Sequence, residues 1–283
     1  MAGAPVVAAV TAEVSRRVAV LAGEGVTVGL ATVLVGDDPA SAGYIRKKHE
    51  ASAATGIRSV NVHLPATATQ AELLAAVEAL NDDPSIDAFL IQNPVPAGLD
   101  YNAALAAMDP DKDADGLHPS NLGRLALGVD GPVPCTPAGI QALLAHYQVP
   151  VAGRHVVIVG RGPTLGRPLA MLLSLKRPGA NAAVTVVHTG VPNWADYTRL
   201  ADIVVGAAGV PNMIGPGEVR PGAAVVGGGI SWEGKRLVSD VDESVADVAG
   251  WVTPRLGGVG PTTVAMLLRN AVDAAARRRG LDV

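Results

Sequence analysis

The chain has 283 residues, a length that suits two domains of ordinary size. Hydrophobic residues make up 49% of it and charged residues 17%, which provides material for buried cores and excludes a charge-dominated disordered chain. The net charge of -4 and the 3% aromatic content argue against a nucleic-acid-binding protein, whose surface needs a basic face and stacking rings.

The cysteine content and the hydropathy pattern favour a cytoplasmic protein. Cys135 is the only cysteine, so an internal disulfide is excluded and a reducing compartment is favoured. Glu13, Arg16 and Arg17 interrupt the apolar N-terminal segment, which makes it a poor secretory signal. No run of about 18 apolar residues occurs, so we expect no membrane-spanning segment.

The first half of the chain alternates between helical and strand-like patterns. Apolar residues spaced by three and four predict a first helix and are Val7, Val10, Val14, Val18 and Leu21. Strands are predicted over residues 26–35, 59–64 and 86–92. Asp38 and Pro39 indicate the start of a helix between the first two strands, and Thr69 to Glu72 reads as a capping box that opens the next. This β-α-β-α-β order predicts a parallel sheet.

A second β-α series follows a loop-rich stretch over residues 93–137. Thr136 and Pro137 resemble the N-cap and first position of a helix that runs to about Tyr147. Four further strands are predicted over residues 155–160, 183–188, 202–207 and 223–227. A last helix is expected from about Pro261 to Arg279, where three successive arginines suit a helix C-terminus.

A glycine-rich segment after the strand at residues 155–160 predicts a dinucleotide-binding loop. Gly160, Gly162 and Gly166 let a phosphate approach the backbone N–H groups at a helix N-terminus, although a structural turn would show a similar pattern. The segment 184–190 lacks the acidic residue that usually binds the ribose of NAD. Because Arg161 could instead meet a 2′-phosphate, NADP is favoured over NAD.

Three polar residues of the first half are candidates for a second site. Tyr44 and Lys48 are four residues apart, which places them on one face of a helix, where they could also form an ordinary solvated surface. Gln92 lies at the C-terminal end of a predicted strand, the edge at which parallel α/β sheets bind ligands. Its structural alternative is an amide that satisfies loop backbone.

Metal catalysis is not expected. Carboxylates at Asp111, Asp113 and Asp115 suggest a calcium loop, but Leu122 occupies the twelfth position, where an EF-hand needs a glutamate. The six histidines show no zinc-ligand spacing, and Cys135 has no cysteine partner.

Six segments, in this order, resemble the bifunctional methylenetetrahydrofolate dehydrogenase/methenyltetrahydrofolate cyclohydrolase family. They span most of the chain and are Tyr44 to Lys48, Gln92 to Pro96, Pro110 to Gly116, Pro134 to Pro137, Gly160 to Gly166 and Gly257 to Pro261. Four residues depart from the family's usual ones: Asn93 replaces leucine, Gly162 and Thr189 replace serine, and Leu256 replaces proline.

The resemblance implies a two-domain α/β fold and a role for each matched residue. It implies a parallel-sheet catalytic domain over residues 1–138 and 262–283, a Rossmann domain over 139–261, and a C-terminal helix that returns to the first domain. It also implies that Lys48 is the central catalytic group, Gln92 orients it, Tyr44 stacks on the folate and Asp115 holds the pterin. The implied dinucleotide contacts are Gly160, Arg161, Gly162, Gly166, Thr189, Gly209 and Ile230, and further substrate contacts are Gly258 and Pro261.

The expected function is therefore oxidation of 5,10-methylenetetrahydrofolate with NADP, followed by hydrolysis of the methenyl product to 10-formyltetrahydrofolate. The resemblance also suggests a homodimer. The alternatives are a family member with only one activity, a dehydrogenase of the same architecture for another small substrate, and a dinucleotide-sensing module without turnover.

Overall fold

The computed structural model describes residues 1–234 and 236–283, and of residues 39–42 only the backbone. Two compact units make up the chain. The first comprises Ala9–Arg124, Val129–Val133 and Val264–Val283, and the second comprises Met1–Ala8, Leu125–Gly128 and Pro134–Thr263. The C-terminal end of the chain thus belongs to the same unit as most of the N-terminal half, as the resemblance implies.

The first unit is built on a three-stranded parallel sheet. Its elements in chain order are α1 (Ala4–Gly23, whose first residues belong to the second unit), β1 (Gly29–Val35), α2 (Pro39–Thr55), β2 (Arg58–Leu64), α3 (Gln70–Asp82) and β3 (Ala88–Ile91). The strand order is β2-β1-β3, and all seven residues of β1 are buried. The predicted β-α-β-α-β series is confirmed, and so is the capping box, because Thr69 accepts from the backbone of Glu72 and the Glu72 side chain accepts in return.

The stretch predicted as loop-rich contains more helix than the sequence indicates. It holds α4 (Tyr101–Ala106), a 3₁₀ turn at Pro110–Lys112 and α5 (Pro119–Leu127). The Asp100 side chain caps α4 by accepting from Ala103 N, and Asp109 caps the 3₁₀ turn in the same way from Asp111 N. The prolines and aspartates that suggest a loop therefore act as helix starts.

The second unit contains a five-stranded parallel sheet and a separate antiparallel hairpin. Its elements are α6 (Cys135–His146), β4 (His155–Val159), α7 (Gly166–Ser174), β5 (Ala183–Val187), α8 (Ala195–Thr198), β6 (Ile203–Gly206), β7 (Ala224–Gly227), β8 (Ile230–Glu233), β9 (Arg236–Ser239) and β10 (Trp251–Val252), followed by α9 (Val259–Arg279), which continues into the first unit. The sheet order is β10-β7-β6-β4-β5, and β8 pairs with β9. This parallel sheet with helical connections is the Rossmann-type arrangement that the sequence predicts.

Two helix starts differ from the prediction. The N-cap of α6 is Pro134 and not Thr136, and the Thr136 hydroxyl instead accepts a 3.2 Å hydrogen bond from Thr263 Oγ1. Helix α9 begins at Val259, so Pro261 lies inside its first turn. Proline is tolerated there because the N–H it lacks would have no partner within the helix.

The described part of the chain contains no helix long and apolar enough to cross a membrane.

Candidate active site

The C-terminal edge of the first unit's sheet brings Lys48 and Gln92 together. Lys48 lies on α2, and Gln92 directly follows β3, where its N–H continues the strand ladder by donating to Val33 O at 2.8 Å. The Lys48 ammonium donates to Gln92 Oε1 at 3.2 Å, while Gln92 Nε2 donates to Asn93 O at 2.9 Å. Both ends of the Gln92 amide are therefore fixed, which holds its oxygen toward Lys48.

Asp115 belongs to the same polar region. Burial raises the pKa of its carboxyl group, the positive charge of Lys48 opposes this shift, and the charge of Asp113 adds to it. A partly buried carboxyl group that is electrostatically coupled to a lysine is suited to binding a ligand that brings its own N–H donors.

Asp113 and Lys112 fix the segment that carries Asp115. Asp113 Oδ1 accepts from Gly116 N at 2.9 Å, and Oδ2 accepts from His118 N at 2.7 Å and Asn121 Nδ2 at 2.9 Å. The Lys112 ammonium is buried and donates to three carbonyl oxygens at the end of α3, those of Leu80, Asn81 and Asp83, at 2.7–2.8 Å. The segment is thus tied to both α3 and α5 by charged groups.

Helix α9 contributes a further support. Asn270 Nδ2 donates to Ala114 O and to Val133 O, each at 3.0 Å. Ala114 N in turn donates to Phe89 O of β3 at 3.0 Å. The backbone N–H and carbonyl groups of Ala114, directly before Asp115, are therefore both hydrogen-bonded.

Two tyrosines lie in this region. Tyr44 is one turn before Lys48 on α2, and burial raises the pKa of its phenol. Lys47 Nζ lies 6.0 Å from the centre of the Tyr44 ring. Tyr101 begins α4, and the pKa of its phenol is raised by burial and also by the charges of Asp115 and Asp113.

The glycine loop of the second unit has the geometry of a phosphate cradle. A Cβ atom on Gly160, whose φ is +131°, would lie 2.2 Å from Ala207 O, and one on Gly166 would lie 2.2 Å from Gly160 O. Both positions therefore require glycine, whereas Gly162 faces open space. Helix α7 starts at Gly166 without a side-chain cap and without an acidic residue in its first turn. These residues fit a dinucleotide phosphate, which would supply the missing cap.

Arg161 of the glycine loop and Thr189 after β5 are candidates for contact with a 2′-phosphate. Arg161 Nη1 lies 3.2 Å from His188 Nε2, and Gly190 N donates to His188 Nδ1 at 3.1 Å. Thr189, which lies between His188 and Gly190 in the sequence, is exposed. Because residues 184–190 contain no acidic side chain, this cation and hydroxyl suit NADP better than NAD.

The remaining predicted residues also lie in the second unit. Gly209, with φ of +67°, follows β6, and a Cβ atom on it would lie 3.7 Å from the carbonyl oxygen of Ile230, the first residue of β8. Gly258 and Pro261 lie at the start of α9, where Gly258 O would be 2.3 Å from a Cβ atom on Gly3.

Sequence reasoning missed the residues that support the site. Lys112, Asp113, Asn121 and Asn270 are polar residues that become buried through contacts distant in sequence. The Asp111 to Asp115 spacing drew attention to the segment but not to the role of Lys112. In the described residues, no group of three or more histidine, cysteine, aspartate or glutamate side chains could hold a metal ion.

Comparison with known proteins identifies both halves of the chain. A family model described as the tetrahydrofolate dehydrogenase/cyclohydrolase catalytic domain matches residues 1–115, and one described as the NAD(P)-binding domain of the same family matches residues 134–279. The bifunctional protein FolD of Syntrophotalea carbinolica is 60% identical over 281 residues, covering 98% of this chain and 97% of the relative. Bifunctional protein FolD 1 of Salinispora tropica is 62% identical over 277 residues, covering 98% of this chain and 90% of the relative.

A solved structure shows the same fold with a dinucleotide bound. The methylenetetrahydrofolate dehydrogenase-cyclohydrolase of Trypanosoma brucei, complexed with NADP and an inhibitor, superposes with a TM-score of 0.92 at 38% identity. The match covers 99% of this chain and 97% of the T. brucei chain. The chain belongs to the tetrahydrofolate dehydrogenase/cyclohydrolase family.

Proposed function

We propose that this chain oxidises 5,10-methylenetetrahydrofolate to 5,10-methenyltetrahydrofolate with NADP and hydrolyses the product to 10-formyltetrahydrofolate. Family membership over nearly the whole chain supports both activities, and the bound NADP of the T. brucei relative supports the choice of dinucleotide. Within the chain, the observation that supports the proposal most directly is the hydrogen bond from Lys48 to Gln92. The charge of Lys48 also acts on the carboxyl group of Asp115.

The oxidation requires orientation more than proton transfer. A hydride leaves the methylene carbon with both electrons of its C–H bond, and the lone pairs of the two flanking nitrogens stabilise the methenyl cation that remains. NADP, when bound, supplies the hydride acceptor. In our proposal the chain positions the folate: the Asp115 carboxylate accepts two hydrogen bonds from the pterin N–H edge, and the Tyr44 ring stacks on the folate.

The hydrolysis needs an acid/base group, a role we assign to Lys48. For this step the Lys48 ammonium first releases a proton; a water oxygen then attacks the methenyl carbon and loses a proton to the resulting amine. The carbon–N5 bond then breaks, the hydroxyl proton is transferred to N5, and one proton is released overall. Gln92 orients the amine through a neutral oxygen, with which it forms no ion pair.

We assign the dinucleotide to the second unit. Gly160, Gly162 and Gly166 cradle the phosphates at the start of α7, and Arg161 and Thr189 contact the 2′-phosphate. Gly209 and Ile230 contact the rest of the dinucleotide, and Gly258 and Pro261 contact the substrate. The corresponding domains are residues 1–138 with 262–283 for folate, and residues 139–261 for NADP.

An assay of the purified chain with methylenetetrahydrofolate and either NADP⁺ or NAD⁺ tests the proposal. We expect reduced cofactor to be detected by absorbance, faster with NADP⁺, and formyl product to be found after the reaction is stopped. Reduced cofactor without formyl product would indicate a member with dehydrogenase activity alone. Binding of NADP⁺ without any absorbance change would indicate a sensor.

We also propose that the chain forms a homodimer and acts in the cytoplasm, where its formyl product serves purine biosynthesis. The homodimer is inferred from the family, and the compartment from the single cysteine. Sedimentation velocity at micromolar concentration tests the first inference, and a monomer there would contradict it.

A further inference from the structure

Asp240 accepts hydrogen bonds from three successive backbone N–H groups of a neighbouring loop. Its Oδ2 accepts from Ala208 N at 2.7 Å and Gly209 N at 3.1 Å, and its Oδ1 accepts from Val210 N at 2.8 Å. Asp240 directly follows β9 and is fully buried, while the loop directly follows β6. One carboxylate therefore fixes the conformation of three consecutive residues.

Two glycines make room for this carboxylate. A Cβ atom on Gly229 would lie 2.1 Å from Asp240 Oδ2, and one on Gly206 would lie 2.7 Å from Asp240 Cβ. The Asp240 backbone is also fixed, because its N–H donates to Gly229 O at 3.1 Å and its carbonyl accepts from Ile214 N at 2.9 Å. The side chain consequently has little freedom to leave the loop.

The loop that Asp240 fixes adjoins the glycine cradle. Ala207 N donates to Val159 O at 2.8 Å, and the Ala207 carbonyl fills the space that a side chain on Gly160 would need. Strand β6 lies next to β4 on the side away from β5, which is the direction in which a dinucleotide extends beyond its phosphates in this class of sheet. A displacement of the loop would therefore reach Gly160 and Gly209 together.

We infer that Asp240 is a positioning residue for the dinucleotide, acting through the Ala208 to Val210 loop. This inference rests on the proposed function. Because the three N–H groups donate to the carboxylate, these residues have no backbone donor left for a phosphate. In this inference the loop therefore contacts an uncharged part of the dinucleotide. The loop thus differs from the glycine cradle, where the N–H groups at the start of α7 have no side-chain cap and can bind the phosphates.

The two activities of the chain provide an internal control for a merely structural role. Hydrolysis of methenyltetrahydrofolate consumes only water, so it does not need the dinucleotide. In Asp240→Asn an amide N–H faces the loop's donors, and we expect the KM for NADP⁺ to rise about tenfold or more, since at least one charge-assisted hydrogen bond is lost. The kcat/KM of cyclohydrolase should stay within about twofold of the parent.

Asp242→Asn is the matched control variant. Asp242 carries the same charge two residues away in the same unit, and its side chain caps a 3₁₀ turn by accepting from Ser244 N at 2.8 Å. Its KM for NADP⁺ should equal that of the parent. An unchanged KM for NADP⁺ in Asp240→Asn, or a matching loss of both activities, would overturn the inference.

Hydrogen exchange of the unmodified protein tests the anchor without any substitution. We expect the amides of residues 208–210 to be protected without NADP⁺, and NADP⁺ to add little protection to them. Unprotected amides that become protected only with NADP⁺ would overturn the inference, because the dinucleotide would then be their acceptor. Failure of the parent to bind NADP⁺ in calorimetry would instead refute the proposed function, and the exchange of the free protein would still report on the anchor.

Discussion

At the scale of single residues, the proposed chemistry depends on the neutrality of Gln92. Its amide oxygen orients the Lys48 amine at 3.2 Å and carries no charge. A carboxylate at this position would form a charge-assisted pair with the ammonium and favour the protonated form, which cannot accept a proton from water. An amide in place of a carboxylate at position 92 therefore matters for the hydrolytic step, in which Lys48 must accept a proton.

Gln92→Glu should consequently impair hydrolysis far more than oxidation. We expect cyclohydrolase kcat to fall by about 100-fold, the lower range for loss of a general base, with dehydrogenase kcat reduced by less than about tenfold. Steady-state assays of both reactions measure this difference. Asn61→Asp, which adds the same charge at an exposed position of β2, serves as the control and should leave both rates unchanged. Equal losses in the two reactions would contradict the assigned role of Lys48.

Asp115 should make folate binding dependent on pH. Its pKa lies above the ordinary value because burial disfavours the carboxylate, and only the carboxylate can accept both pterin N–H bonds. Folate affinity is therefore full above the raised pKa and is lost as the pH falls through it. Calorimetric titration with folic acid over a pH series should show this loss in the parent. The same loss in Asp115→Asn would mean that another group titrates.

At the scale of elements, one buried lysine links a helix to the binding segment. Lys112 is 1% exposed, and its ammonium donates hydrogen bonds to three carbonyl oxygens at the C-terminal end of α3. Burial lowers its pKa, yet the ammonium is stabilised by the carbonyl oxygens that accept from it and by its position at a helix C-terminus. This contact fixes the segment that continues through Asp113 to Asp115.

Lys112→Met should destabilise the first unit because it leaves three carbonyl groups, one buried and two partly buried, without their donor. We expect the free energy of unfolding to fall by about 3 kcal/mol in urea denaturation. Lys47→Met removes an exposed lysine from α2, whose contact with the Tyr44 ring should contribute less than about 1 kcal/mol. A loss in Lys112→Met no larger than that of Lys47→Met would show that water replaces the ammonium at no cost.

Elements defined by local patterns could be predicted, and those defined by distant partners could not. The capping box at Thr69 and the apolar strands carry their own signals over a few residues. Strand β10 has two residues and exists because Trp251 and Val252 pair with β7. The sequence predicts only helix-end charges for the three arginines of the last turn of α9, whereas Arg279 Nη1 contacts the buried Asp87 carboxylate at 2.6 Å. Nothing near Arg279 in the sequence indicates that partner.

The residues of the candidate site likewise divide into those that the sequence indicates and those that depend on distant contacts. Lys48, Gln92 and Asp115 could be named because the family segments contain them, and the strand-end rule independently indicates Gln92. Lys112, Asn270 and Asp240 act through backbone groups 29 or more residues away in sequence. Their roles depend on tertiary contacts that no local spacing encodes.

At the scale of the whole molecule, the chain divides its tasks between two units with separate parallel sheets. The first unit holds the amine, amide and carboxyl groups, and the second holds the glycine cradle. In the proposed account, oxidation needs the dinucleotide-binding groups of the second unit as well as the folate-binding groups of the first. Hydrolysis needs the groups of the first unit and water. A substitution can therefore remove one reaction and leave the other.

Lys48→Met tests this account most directly, with both reactions followed in the same preparation. The change removes the proton acceptor and keeps a side chain of similar length. We expect cyclohydrolase activity to fall by at least about 100-fold, while dehydrogenase activity with NADP⁺ remains measurable. Cyclohydrolase activity near the parent level in Lys48→Met would contradict the account.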